Sequence, residues 1–284
     1  MVTPNHDASL LDPEAESQRI REALGARVSV DPRQEIARRS AFLREQMFGS
    51  GQHALALGIS GGVDSTLAGR LAQLAVEEAR KQGVAARFYA MRLPYGVQKD
   101  EEEARMALEF IAADDVLDVD IKPASDAMLA SLERGGLVFS DAAQRDFVLG
   151  NIKARQRMIA QYAVAGTYGG LVVGTDQAAE AVMGFFTKYG DGACDLAPLS
   201  GLSKRQVREM TRELGAPATL VDKVPTADLE SLAPQRADED ALGVRYAEID
   251  LFLEGQPIDD SARDTILGAY YRSAHKRQLP KVPH

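Results

Sequence analysis

The chain has 284 residues, 45% of them hydrophobic, which suffices for one large α/β domain or two small ones. Its net charge of −9 and the lack of a long Lys/Arg block argue against nucleic acid as the main partner. One cysteine, Cys194, excludes an internal disulfide, a four-cysteine zinc site and a CxxC pair. No apolar run could span a bilayer, and residues 1–13 lack a secretion signal. We therefore expect a soluble, cytoplasmic protein with no membrane partner and a flexible tail at 1–13.

The first half of the chain changes from helices to alternating strands and helices. A cap-and-proline pair, Asp31-Pro32, marks the start of the second helix. The apolar run at 54–59 is typical of a strand that is buried on both faces. The periodicity predicts helices at 14–24, 32–47, 65–81 and 98–111, and strands at 54–59, 86–93 and 115–121.

The second half continues the alternation and then becomes helical. It contains one further strand, at 170–174, and helices at 124–134, 141–166, 175–184, 203–214, 238–254 and 260–275. Strands that alternate with helices favour an α/β fold with a doubly wound, mainly parallel sheet and helices on both faces. Ligands of such sheets bind beyond the carboxyl ends of the strands, where the strand order reverses. The turns at Ser60, Pro94 and Thr175 all lie on that edge.

The most informative segment is the Gly-rich turn that follows the first strand, Gly58-Ile59-Ser60-Gly61-Gly62-Val63-Asp64-Ser65. Two adjacent glycines permit positive φ angles, and the N–H groups at the start of a helix form an anion site. Ser60 and Ser65 add hydroxyl donors, and Asp64 is placed to hold a metal ion at phosphates. The GxxxxGK[ST] and GxGxxG spacings are both missing. The simpler alternative is a tight strand-to-helix turn with a serine cap.

This S-G-G-x-D-S loop resembles that of the ATP pyrophosphatases, a superfamily of adenine nucleotide alpha-hydrolase-like proteins. The resemblance implies that ATP is cleaved between its α- and β-phosphates, while the loop grips the departing pyrophosphate. It also implies a Rossmann-like sheet of five strands. The loop is specific for the superfamily and leaves the acceptor of the AMP group open.

Five stretches of the second half resemble the ammonia-dependent NAD synthetases. They are Lys153-Ala154-Arg155, Gly174-Thr175-Asp176-Gln177-Ala178-Ala179-Glu180, Gly184-Phe185-Phe186-Thr187-Lys188-Tyr189-Gly190-Asp191-Gly192, Pro225-Thr226-Ala227-Asp228-Leu229 and His275-Lys276-Arg277. The similarity extends from about residue 24 to residue 279. It implies one domain over residues 1–284, a homodimer, and ATP-dependent amidation of deamido-NAD by ammonia in the last step of NAD biosynthesis.

The resemblance also assigns roles to individual residues. Asp64 and Glu180 would hold Mg²⁺ and, with Lys204, form the catalytic set. ATP, the co-substrate, would contact Gly58, Ile59, Ser60, Gly61, Gly62, Val63, Asp64, Ser65, Arg92, Thr175, Lys204 and Thr226. Deamido-NAD would contact Arg155, Lys188, Asp195, His275 and Lys276. The alternative for each charged residue is an ordinary surface role, such as a solvated carboxylate at Glu180 or a lysine lying over apolar surface at Lys188.

Other members of the superfamily provide the nearest rival function, since they amidate or modify different acceptors. A nucleotide-binding module without turnover is the rival of a different class. Ammonia is expected as the nitrogen donor, because 284 residues leave no room for a glutaminase domain. Residues 94–100 and 222–238, rich in Pro, Gly and charge, are candidate lids that would keep water from an acyl adenylate.

Overall fold

The computed structural model describes residues 13–97, 101–226 and 238–283. Within them lies one sheet of parallel strands in the order β3-β2-β1-β4. Its strands are β1 (Ala54–Gly58), β2 (Arg87–Arg92), β3 (Asp115–Asp118) and β4 (Gly170–Val172). β2 and β3 lie on one side of β1, and β4 lies on the other side. The strand order therefore reverses between β1 and β4.

The described residues form four strands, and the expected fifth strand is not confirmed among them. On the outer side of β4, Leu196 makes an isolated parallel bridge with Val173. Beyond this bridge, Leu199 and Leu202 are fully buried in the core cluster that also contains Leu43 and Val207. A fifth strand therefore does not extend beyond a single pairing in this region.

The helices follow the predicted order, and most of their bounds differ from the predicted ones by a few residues at either end. They are α1 (Pro13–Ala23), α2 (Pro32–Gly49), α3 (Val63–Lys81), α4 (Glu101–Ile111), α5 (Lys122–Arg134), α6 (Ala142–Tyr168), α7 (Ala178–Met183), α8 (Lys204–Glu213), α9 (Ala218–Val221), α10 (Asp238–Leu242), α11 (Tyr246–Leu253), α12 (Asp260–Arg272) and α13 (Ala274–Arg277). The helix predicted at 238–254 is broken at Gly243, whose φ of 70° cannot continue a right-handed helix.

Helices cover both faces of the sheet. Leu55 and Leu57 of β1 point to the face covered by α2, α3 and α8. Ala54 and Ala56 point to the opposite face, where α6 packs against β1 and β4. Because side chains alternate along a strand, a strand covered on both sides needs apolar residues at every position, as β1 has. The predicted doubly wound α/β architecture is thus observed.

A second apolar cluster lies beside the sheet and supports the site. It joins α7, α11, α12 and Ile20 of α1 around the fully buried Ile249 and Ile266. None of the helices described within 13–97, 101–226 and 238–283 is long and apolar enough to cross a membrane. The predicted tail at 1–13 lies outside the described residues except for its last residue. Of the candidate lids, 98–100 and 227–237 also lie outside them.

Candidate active site

A cavity of about 460 Å³ opens at the carboxyl ends of β1 and β4, at the point where the strand order reverses. Its wall is formed by the Gly-rich turn after β1, the turn after β4, α6, and the starts of α7 and α8. The predicted residues on this wall are Gly58, Ile59, Ser60, Gly62, Val63, Asp64, Ser65, Thr175, Glu180, Lys204, Thr226 and Lys276. Elements far apart in the chain therefore meet at the predicted edge of the sheet.

The Gly-rich turn is held in shape by its own hydroxyl groups. The Ser65 hydroxyl donates to the Gly62 carbonyl at 3.1 Å and accepts from the Ser60 backbone N–H at 3.2 Å. Gly62 is the N-cap of α3 and provides no side-chain cap, so N–H groups of the first turn are left for an anion. The geometry suits a phosphate group.

Gly61 is required in this turn for two reasons. Its φ of 81° lies in the left-handed region. A Cβ atom there would also come within 2.7 Å of the backbone nitrogen of Ala104 on α4. Gly61 does not line the cavity among the described residues, so its role is to let α4 pack closely behind the turn.

Lys204 and Asp64 form an ion pair inside the cavity wall. The Lys204 Nζ atom lies 2.5 Å from Asp64 Oδ2, and the lysine is only 2% exposed. Burial acts to lower the pKa of Lys204, but Asp64 and Glu180 outweigh it and hold the pKa above its ordinary value. Lys204 is therefore a charged ammonium next to the phosphate turn.

Glu180 is oriented by a capping box at the start of α7. Its Oε2 atom accepts from the backbone N–H of Gln177 at 3.3 Å, while the Gln177 side chain accepts from Ala179 N–H at 2.7 Å. Desolvation, with the neighbouring Asp64 charge, raises the pKa of Glu180 well above its ordinary value. A cation between the two carboxylates would remove that cost.

The donors fit Mg²⁺ in this structure. Asp64 uses Oδ2 for Lys204, and its Oδ1 atom is buried with no hydrogen-bond partner among the described residues. Glu180 likewise has one oxygen held by backbone, which leaves the other to face the cavity. No cluster of three metal-ligating side chains occurs in the described parts of the chain. Two carboxylates still suffice, because Mg²⁺ keeps waters and phosphate oxygens as its other ligands.

Two aspartates near this pair were not singled out from the sequence. Desolvation, with Asp191 and Asp64 nearby, raises the pKa of Asp176 to about 8. Asp191 lines the cavity, accepts from the Thr187 N–H at 2.8 Å, and has its pKa raised by desolvation. Both lie in motifs quoted above, and their spacing alone does not reveal that the fold brings them toward Asp64.

The residues expected to contact deamido-NAD meet where α6, the loop at 184–192 and α13 converge. Arg155 Nη2 donates to the Lys188 carbonyl at 3.1 Å, and Lys188 Nζ donates to the His275 carbonyl at 2.8 Å. Lys276 Nζ donates to the Phe186 carbonyl at 2.8 Å and faces the cavity. Four of the five predicted residues are thus neighbours.

Arg155, Lys188 and His275 are not part of the described lining of the cavity, and two further predicted residues, Asp195 and Arg92, also lie outside it. Asp195 accepts from the backbone N–H of Val172 at 2.7 Å, which anchors it to β4. Arg92, at the end of β2, pairs with Glu101 at 2.7 Å. In the structure both residues contact other residues of the protein, and the ligand contacts expected for them stay predictions.

Comparisons with known proteins agree with this geometry and confirm the family expected from the sequence. The family model for NAD synthase matches residues 35–280. The NH(3)-dependent NAD(+) synthetase of Streptomyces coelicolor is 64% identical, over 89% of this chain and 92% of its own. The crystal structure of NAD+ synthetase from Burkholderia pseudomallei is 56% identical with a TM-score of 0.83, over 95% and 98%. NMN synthetase from Francisella tularensis is 34% identical with a TM-score of 0.77, over 90% and 99%. The chain belongs to the NAD synthase family.

Proposed function

We propose that this chain catalyses the ATP-dependent amidation of deamido-NAD with ammonia, giving NAD, AMP and pyrophosphate in the last step of NAD biosynthesis. The observation that carries this proposal is the meeting of the Gly58–Ser65 turn, Glu180 and Lys204 on one cavity. The likeness to the Streptomyces coelicolor enzyme supports the choice of substrate.

The phosphates of ATP bind against the N-terminus of α3 in this proposal. The free N–H groups there, the Ser60 hydroxyl and the Lys204 ammonium face the same space. Asp64 and Glu180 would hold Mg²⁺, which neutralises charge on the phosphate oxygens when it is bound. Thr175 and Thr226 line the cavity and supply further hydroxyl groups.

The chemistry needs two steps because a carboxylate has no usable leaving group. The nicotinate carboxylate attacks the α-phosphorus of ATP, pyrophosphate departs, and an NAD-adenylate forms. Ammonia then attacks the activated carbonyl, and AMP leaves with the bonding electrons. The protein contributes positioning and charge: Lys204 and the turn stabilise the departing pyrophosphate, whose negative charge grows in the transition state.

We propose that deamido-NAD binds at the cluster of Arg155, Lys188, His275 and Lys276, and that Asp195 also contacts it. We propose that a second copy of the chain packs on the exposed surface of α6. Phe147 and Ile159 on α6 are 59% and 52% exposed, and Phe147 also lines the cavity. A symmetric homodimer that covers this face would complete the dinucleotide site. We also propose that the chain forms one catalytic domain, that it acts in the cytoplasm, and that it binds no nucleic acid.

A coupled assay for NAD tests the proposal. The purified chain, ATP and Mg²⁺ are supplied with deamido-NAD and either ammonium or glutamine. NAD is expected to form with ammonium and not with glutamine. Nicotinic acid mononucleotide, the half of the substrate that carries the carboxylate, serves as the competing acceptor. Faster amidation of the mononucleotide would favour an NMN synthetase activity instead. If pyrophosphate is released but neither NAD nor the amidated mononucleotide forms, the enzyme uses a different acceptor. If no pyrophosphate is released, the chain is a nucleotide-binding module without turnover.

A further inference from the structure

The first turn of α8 is held by a carboxylate from another helix. Asp250, on α11, accepts the backbone N–H of Lys204 at 2.8 Å through Oδ1. Its Oδ2 atom accepts the backbone N–H of Arg205 at 2.9 Å. One side chain thus binds the first two N–H groups of the helix that carries Lys204.

These two bonds add to the cap that α8 supplies for itself. Ser203, the N-cap, accepts the N–H of Gln206 at 3.2 Å, which leaves the N–H groups of Lys204 and Arg205 for an outside acceptor. Asp250 is 8% exposed, so its ionised form loses hydration, and burial raises its pKa to about 6. Two charge-assisted bonds at the positive end of a helix offset part of that loss.

The neighbouring carboxylate makes different contacts. Glu254 accepts the Ser203 hydroxyl at 2.8 Å and Arg205 Nη2 at 2.7 Å. It holds side chains of the turn, whereas Asp250 holds the backbone of Lys204 itself. From that fixed backbone the Lys204 side chain runs to Asp64 at 2.5 Å. An error of about 1 Å at the start of the side chain would move the ammonium out of hydrogen-bond range.

We propose that Asp250 is a positioning residue for Lys204, which it keeps aimed at Asp64 and at the phosphates of ATP. This inference rests on the proposed function, because it assigns Asp250 a role in ATP binding. Asp250 touches neither Asp64 nor ATP in this account. It acts only through the residue whose backbone it holds.

A purely structural role is the competing explanation, since α8 and α11 pack together. The two roles differ in how Asp250 and Lys204 couple. If Asp250 acts through Lys204, removing the lysine side chain should abolish the effect of changing Asp250. If Asp250 only stabilises the fold, the effects of the two changes should add.

The experiment is a double-mutant cycle on ATP affinity with Asp250→Asn and Lys204→Met. The ligand is α,β-methylene-ATP with Mg²⁺, and affinity is measured by calorimetry on the full chain. In the wild-type background, Asp250→Asn should weaken binding about tenfold, because an amide nitrogen would face one of the two N–H groups. In the Lys204→Met background, it should weaken binding less than about twofold.

Equal weakening in both backgrounds, or none in the wild type, would overturn the inference while leaving the proposed function intact. A wild-type chain that fails to bind the analogue would contradict the proposed function as well. Asp31→Asn is the matched control, because Asp31 likewise caps a helix, accepting the Gln34 N–H at 3.0 Å at the start of α2. Should Asp250→Asn fail to fold, Asp250→Glu, which keeps the charge, takes its place in the cycle with the same coupling expected.

Discussion

The ammonium of Lys204 lies 2.5 Å from Asp64 Oδ2, although the two residues are 140 positions apart and the lysine is 2% exposed. This pair links α8 to the phosphate turn and leaves Asp64 Oδ1 buried without a partner among the described residues. One carboxylate thus holds a fixed cation on one oxygen, and its other oxygen is available to the proposed Mg²⁺ ion.

Removal of the Lys204 charge should reduce catalysis. We expect Lys204→Met to lower kcat/KM for ATP by about 100-fold or more, because a preorganised cation next to the leaving pyrophosphate is lost. Steady-state kinetics with ammonium measures the effect. Arg205→Met is the control, since that side chain pairs with Glu209 and Glu254 at the start of the same helix. Equal losses in the two variants would contradict the assignment.

The two carboxylates should determine the response to Mg²⁺. Asp64→Asn and Glu180→Gln are each expected to raise the Mg²⁺ concentration for half-maximal activity about tenfold or more, because a charged ligand is replaced by a neutral one. A metal titration at saturating ATP measures this. Glu109→Gln, which changes an exposed carboxylate paired with Arg105, should leave the titration unchanged. An unchanged midpoint in both site variants would remove them from the metal site.

Gly61 and Gly83 offer a matched test of the phosphate turn. Their φ angles are 81° and 84°, but a Cβ atom meets Ala104 only at Gly61 and meets nothing within 4 Å at Gly83. Gly83→Ala should cost about 1–2 kcal/mol of stability, the price of the left-handed conformation. Gly61→Ala should cost more and also abolish ATP binding, because α4 and the turn must separate. Thermal unfolding and calorimetry measure both, and equal effects would argue against the close approach.

Asp250 should leave a signature in the pH dependence of stability. Its pKa is raised to about 6 in the folded chain, against an ordinary value of 3.8. Between about pH 4 and pH 6 the unfolded chain has lost this proton while the folded chain keeps it, so stability falls as the pH rises. Relative to Asp250→Asn, the wild type should lose up to about 3 kcal/mol over that window. Denaturant unfolding at several pH values measures the difference, and a constant difference would contradict the raised pKa.

The sequence predicted the parts of the site that are local in the chain. The phosphate turn could be predicted because its strand, glycines and helix start are contiguous from Leu55 to Ser65. Lys204 was placed near ATP by resemblance alone, and its pairing with Asp64 depends on how α8 packs against α3. The link between Asp250 and Lys204 could not be predicted, because neither helix periodicity nor spacing tells which carboxylate of α11 reaches a neighbouring helix start.

The sheet shows the same division. Its four strands lie at the positions in the chain where they were predicted, since each contains apolar residues between helical segments. The fifth strand was expected from the resemblance alone and is not confirmed; beyond β4 the described residues show one isolated bridge, between Val173 and Leu196. The role of a single residue was harder to predict. Arg92 was expected to contact ATP, but in the structure it pairs with Glu101 of the next helix.

The most direct test follows the oxygen atoms of the acceptor. Deamido-NAD labelled with ¹⁸O in its nicotinate carboxylate is converted with ATP and ammonium, and the products are analysed by mass spectrometry. If the carboxylate attacks the α-phosphorus while the turn from Gly58 to Ser65 holds the pyrophosphate, one ¹⁸O should appear in AMP and none in pyrophosphate. Label in pyrophosphate or in released water, with none in AMP, would contradict the adenylate route.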